Sequence, residues 1–326
     1  MTNQTPTDMH ASPDFAALPK DLNADGAPRR TGVEVEFAGI DEGRTAQLAV
    51  QALGGTARMV NDKDWVVEGS CIGTLQIYLD LALRKHIQGP LKDLGMRLGR
   101  EVVPVEIVTE PLTRDQMTQL DRLIAVLRAH GAKGTEQSAF YGFGLHLNPE
   151  IAGPDAVVRP LLAYAVLEDW MRKTWPIEAT RATLPFTDRY PEKLIRALVE
   201  LGPDAPLPDV IRCYREATLS RNHGLDMLPV FVELHPEIIA AQDGKGGTVK
   251  PRPAFHFRLP DCRISDPDWS IETEWRRWHL VEQVAGNTAL LRRLCRAWTD
   301  QHSGMQFLGI GWPDKAHAML KGAGLV

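Results

Sequence analysis

Several features that would point elsewhere are scarce or missing from this sequence. It has only four cysteines in 326 residues, Cys71, Cys213, Cys262 and Cys295, widely separated and without a CxxC pair. That spacing argues against a disulfide framework or zinc knuckle and fits reduced thiols in a cytosolic protein. No apolar run is long enough to span a membrane, so neither a membrane anchor nor a membrane partner is expected. The first 29 residues are polar and proline-containing and lack the apolar core of a signal peptide, so residues 1–29 are expected to be a flexible tail. Net charge is −5, with no basic stripe of the kind a nucleic-acid surface requires. There is no internal repeat, no GxxxxGK[ST] phosphate loop and no nucleophile elbow.

What is present is a mixed order of strands and helices. Val33-Glu34-Val35-Glu36-Phe37 alternates apolar and acidic residues, the period of a half-buried strand. Asp41 is placed to cap a helix running through Leu48 to Leu53, and two or three strands are expected between residues 56 and 80. Val102–Val108 reads as a strand, followed by the capping box Thr113-Arg114-Asp115-Gln116 and a helix ending at Gly131. Phe140–Asn148 is the next strand, then helices over 158–174 and 191–201, a glycine-rich loop at 243–248 and a strand over Ala254–Leu259. Helices carrying Trp269, Trp275 and Trp278, read as core residues, run from about Ser270 onwards. Hairpins mixed with helices predict an α+β fold with a mostly antiparallel sheet rather than a doubly wound parallel one.

Residues i and i+2 of a strand share a face. Four predicted strands then each carry one apolar face and one polar face. The polar sets are Glu34 and Glu36; Glu106 and Glu110; Gly144, His146 and Asn148; and His256 and Arg258. A single Glu-x-Glu strand is ordinarily a solvated face, and a lone histidine or arginine is ordinarily a surface or hydrogen-bonded residue. Four such strands in one sheet would line a funnel with carboxylates, imidazoles and a guanidinium. Hard oxygen ligands suit Mg²⁺, and the arginine suits a phosphate.

In order, these segments resemble the amidoligases of the glutamine synthetase and γ-glutamylcysteine ligase superfamily. The resemblance runs from Thr31 to about Glu282. It is carried by Gly32-Val33-Glu34-Val35-Glu36-Phe37, Pro104–Leu112, Phe143-Gly144-Leu145-His146-Leu147-Asn148 and Phe255–Asp261. It implies one glutamine synthetase-like catalytic domain over 30–326, with C-terminal helices from about 270, and a curved antiparallel sheet with helices on its outer face. It also implies an ATP-dependent, Mg²⁺-dependent ligase that joins a small-molecule or peptide carboxylate to an amine through an acyl phosphate.

By the same resemblance Glu34 faces the metal at the nucleotide phosphates, Glu36 the metal nearer the acyl substrate, and His146 is a further nucleotide-side ligand. Arg258 neutralises the transferring phosphoryl group, Glu106 matches an acidic position, and Arg221 offers a phosphate contact. Two departures stand out. His256 replaces a glutamate, which makes the site less anionic and more receptive to Mn²⁺. Tyr78 stands where an acid is expected, leaving Glu68 or Asp80 to substitute. Glu110 is the candidate acceptor of the amine proton, and a glutamine amidotransferase is a candidate partner. The competing readings are a guanidino-type phosphotransferase on the same sheet and a decayed nucleotide-binding module.

Overall fold

The computed structural model describes residues 15–61, 64–79, 103–137, 142–184, 187–240, 249–303 and 311–326. The acidic–apolar alternation of Thr31–Phe37 forms β1, which lies inside the sheet rather than at its edge. On one side it pairs with β5 (Val105–Thr109), beyond which lie β4 (Gly73–Leu79), β3 (Trp65–Ser70) and β2 (Thr56–Met59). On the other it pairs with β6 (Leu145–Pro149), followed by β8 (His256–Phe257) and β7 (Leu225–Asp226) at the edge. Among the described residues every strand pairing is antiparallel, which gives an open sheet of eight strands and the expected α+β class.

Alternation decides which face is covered. Val33, Val35, Phe37, Leu75, Ile77, Ile107, Leu145 and Leu147 are fully buried, while Glu34, Gln76, Tyr78 and Val108 retain access to solvent. Helix α1 (Glu42–Leu53) packs on β3 and β4 and against α2 (Arg114–Ala129). Both helices start as the sequence predicts. Asp41 accepts the Arg44 N–H at 2.7 Å, and at the start of α2 the Thr113 hydroxyl and Gln116 side chain exchange bonds with each other's backbone N–H at 3.3 and 2.9 Å.

Between β6 and β7 stand α3 (Val158–Thr174), the short α4 (Ala179–Ala182), α5 (Glu192–Leu201) and α6 (Leu207–Ala217). Next come α7 (Leu228–Leu234) and α8 (Pro236–Ala240), and after β8 α9 (Ile271–Gly286), α10 (Thr288–His302) and α11 (Trp312–Gly322). The Trp278 ring of α9 lies 4.9 Å from the Phe255 ring and 5.5 Å from the Phe257 ring, so the tryptophans are core, as read. Among the described residues no helix is long and apolar enough to cross a membrane.

The structure departs from expectation in three places. The strand expected over Ala254–Leu259 is reduced to two ladder residues, flanked by isolated bridges of Ala254 to Glu150 and of Asp261 to Gly144. Arg258 N–H bonds instead to the Gly224 carbonyl at 2.9 Å. Helices α6 to α8 and β7 have short, proline-interrupted patterns that periodicity does not reveal. Finally, residues 15–29, read as part of a tail, pack against α9. Phe15 and Leu18 are buried, Trp275 donates its indole N–H to the Ala16 carbonyl at 2.9 Å, and Arg29 makes a bidentate pair with Glu282 at 2.8 and 2.7 Å. Burial of those two apolar side chains and the paired guanidinium holds this stretch down.

Candidate functional site

The register of the sheet assembles the site. Glu34 stands opposite His146, and Glu36 opposite Glu106, so four polar side chains from β1, β5 and β6 meet on the uncovered face. Glu34, His146 and His256 bring potential ligand atoms within 4.8 Å of one another, and so do Glu36, Glu106 and His146. Glu36, Glu106, His146 and His256 are all buried.

The hydrogen bonds assign the imidazole tautomers. His146 Nδ1 lies 2.9 Å from Glu34 Oε2, a group that only accepts, so Nδ1 carries a proton and Nε2 is the nitrogen turned towards Glu36. That Nε2 is 3.9 Å from Glu36 Oε1, too far for a hydrogen bond and close enough for one cation to join both. Asn148 donates its amide to Glu34 Oε1 at 2.9 Å, and its carbonyl oxygen faces His256 Nδ1 at 2.5 Å. His256 is therefore also protonated on Nδ1. Its Nε2 accepts from Arg258 Nη2 at 3.0 Å.

The charges follow. Burial alone would raise the Glu34 carboxyl, but the His146 hydrogen bond and charge, with help from His256 and Asn148, outweigh it and hold the group well below the usual carboxylate range. Burial, reinforced by the Arg258 charge, pushes His256 well below its usual value, so its imidazole is neutral near pH 7. Burial also lowers Arg258, against the pull of Asp226 and Glu34, yet a guanidinium stays protonated.

Beside these groups is a pocket of about 260 Å³ whose lining includes Glu34, Arg221, Lys250, Arg252 and Arg258. Arg221 is held by Asp226 at 3.0 Å, Arg252 approaches Glu34 at 3.6 Å, and Arg258 donates to the Arg221 carbonyl at 2.8 Å. Four cationic side chains around one small pocket, with Glu34 in the same wall, give it the charge that would suit an anion.

Behind the site, buried Arg181 donates to the Pro260 and Arg258 carbonyls at 3.0 and 2.5 Å, which positions the segment that carries Arg258. Its guanidinium explains Gly144: a Cβ there would meet Arg181 nitrogens at 2.5 and 2.6 Å. Gly144 N–H in turn donates to Glu36 Oε2 at 2.7 Å.

Of the residues singled out in the sequence, Glu34, Glu36, Glu106, His146, His256, Arg258 and Arg221 come together. Glu68 and Glu110 do not. Glu68 sits on β3, three strands or about 14 Å from β1, and pairs with Arg58 at 3.0 Å on the surface. Glu110 lies four residues along from Glu106, about 13 Å, and accepts the Thr74 N–H at 3.3 Å. Tyr78 stands beside Glu106 across the β4–β5 ladder. Asp80 and the loop 243–248 lie outside the described residues. Sequence reasoning missed Lys250, Arg252 and Arg181. The first two had a signal, since Lys250, Arg252, His256 and Arg258 fall at even spacing along an extended segment; a buried arginine such as Arg181 has none.

The chain is thus an α+β protein whose open antiparallel sheet carries, on one face, residues that could hold a metal beside a cationic pocket. A family described as "Putative amidoligase enzyme" matches residues 27–280, and the chain belongs to that family of ligase-type enzymes. No curated protein matches it.

Proposed function

We propose that this protein is an ATP-dependent carboxylate–amine ligase that works through an acyl phosphate on a glutamine synthetase-like domain. The observation that carries this reading is the contact between two metal-competent groups and a pocket walled by Arg221, Lys250, Arg252 and Arg258. A divalent cation needs the first, and a polyphosphate needs the second.

The donor set fits the implied cation. Carboxylate oxygens and unprotonated imidazole nitrogen suit Mg²⁺ and still better Mn²⁺, and His146 Nε2 faces Glu36 across a gap that one ion would span. Glu34 and His256 would hold an ion at the phosphates, and Glu36, Glu106 and His146, through Nε2, one nearer the acyl substrate. Bound there, such ions supply positive charge to the phosphate and carboxylate oxygens.

The chain's own residues supply the rest. A substrate carboxylate oxygen attacks the γ-phosphorus, ADP departs, and an acyl phosphate forms. Arg258, at the junction of the imidazole and the pocket, faces the charge that develops on the phosphoryl oxygens. An amine then attacks the acyl carbon, and inorganic phosphate leaves with one former carboxylate oxygen. The amine proton passes to a carboxylate. Glu106 and Glu36, beside His146, are better placed for that than Glu110. The substrates are small-molecule or peptide carboxylates and amines, in a cytoplasmic setting, with a glutamine amidotransferase as a candidate ammonia source.

The test is isotopic. Substrate carrying ¹⁸O in its carboxyl group should yield labelled inorganic phosphate together with ADP. AMP and pyrophosphate would mean adenylation, a phosphorylated amine would mean a guanidino-type kinase, and nucleotide binding without turnover would mean a retired module.

A further inference from the structure

We infer that Arg258 acts as a removable cap on His256, so that the phosphate-side cation site opens only when a polyphosphate draws the guanidinium away. This inference rests on the cation-assisted ligase reading and specifies how that site is regulated.

The two imidazoles of the site are in different states. His146 turns Nε2 towards Glu36 and Glu106 with no arginine on it, since its Nδ1–H is bound to Glu34 at 2.9 Å. His256 has the same tautomer, set by the Asn148 carbonyl at 2.5 Å, but its Nε2 lone pair is taken by Arg258 Nη2 at 3.0 Å. Arginine has only donors, so this contact consumes the very lone pair a cation would need. Asn148 makes the arrangement one-sided: its amide must donate to the Glu34 carboxylate, so its oxygen is left to accept from His256 Nδ1. Asn148 is thus a positioning residue and Arg258 an internal competitor for the ligand atom.

The competitor has somewhere to go. Its guanidinium lines the same pocket as Arg221, Lys250 and Arg252, and its other amino group already leans on the Arg221 carbonyl at 2.8 Å. A polyphosphate in that pocket offers the guanidinium an opposite charge and bidentate acceptors in place of one neutral imidazole nitrogen, which favours the phosphate contact. Phosphate binding therefore uncaps His256 and completes the ligand set of Glu34 and His256 at the same moment. Without phosphate, the Glu36–Glu106–His146 side fills first. The device keeps a cation from occupying the phosphate side before nucleotide is present.

Two measurements on the full chain test this. In the metal-free protein, ¹⁵N-histidine NMR, with His256 assigned by its loss in His256→Gln, should show the Nδ1–H tautomer with Nε2 accepting a hydrogen bond. An Nε2–H tautomer overturns the inference. In a Mn²⁺ titration without nucleotide, the wild type should take up one tightly held ion. Arg258→Met should take up a second, with an affinity at least about tenfold above that of the wild type at this site, the loss of one competing charged hydrogen bond. Arg221→Met removes a neighbouring charge without touching the imidazole and should leave the count at one. If both variants gain the second ion equally, bulk charge and not the cap is responsible, and the ligase reading stands without it. If no form of the protein binds Mn²⁺, the cation site itself falls, and both readings with it.

Discussion

Carboxylates are buried on both sides of this sheet, and the two sets are built differently. Behind it, the acids of α9 each have a dedicated partner within the fold: Glu282 holds Arg29 and the Trp278 indole, Glu274 faces Arg277 and the Trp269 indole, and Glu272 pairs with Arg276. In front of it, Glu36, Glu106 and Glu34 gather round His146, with His256 beside Glu34 and Arg252 at 3.6 Å from it. A buried acid with its own cation is architecture; several acids gathered round imidazoles are the arrangement that the proposed cation site needs. The pKa directions differ between them as well: burial raises Glu274 to about 7 in spite of the Arg277 charge, whereas at Glu34 the bonds and charges of His146, His256 and Asn148 outweigh burial and hold the carboxyl down.

The comparison can be broken most forcefully from behind. Arg29→Met strands the buried Glu282 carboxylate and should cost about 3–5 kcal/mol of stability, read as a lower denaturation midpoint. Its nucleotide affinity per folded molecule should be unchanged. From the front, Glu34→Gln should weaken Mg²⁺–nucleotide binding by about 10–100-fold in calorimetry, with Glu36→Gln weaker in effect and both variants folding normally. Equal melting losses from Glu34→Gln and Arg29→Met would erase the distinction between the two faces.

The pH dependence of stability sharpens it. The folded Glu274 pKa is raised from 4.5 to about 7 by burial, ahead of the opposing pull of Arg277. Its contribution is thus complete below about pH 4.5 and lost as pH rises through about 7. Glu274→Gln should remove up to about 3 kcal/mol of that decline, measured as the difference in unfolding free energy between acidic and neutral pH. A pH profile parallel to that of the wild type would show that Glu274 stays ionised throughout. Smallest of all, Glu68→Gln breaks only the exposed pair with Arg58 and should shift stability by under about 0.5 kcal/mol and turnover hardly at all. A large loss of activity there would return Glu68 to the site.

The sequence by itself determined which residues share a face. Period-two alternation is a local property of an extended chain, so Glu34 with Glu36 and His146 with Asn148 were legible before any fold was known, as were the capped starts of α1 and α2. It also supplied the order of motifs that marks the family. Only the tertiary structure decided which of those faces meet. Register is a relation between strands, and it put Glu36 beside Glu106 while leaving Glu110 four residues away and Glu68 on an outlying hairpin. The cationic pocket and the capped imidazole arise in the same way. His256 and Arg258 share a face by alternation, but Arg221 lies in a separate segment, and they converge because β6, β7 and β8 bring them together in space.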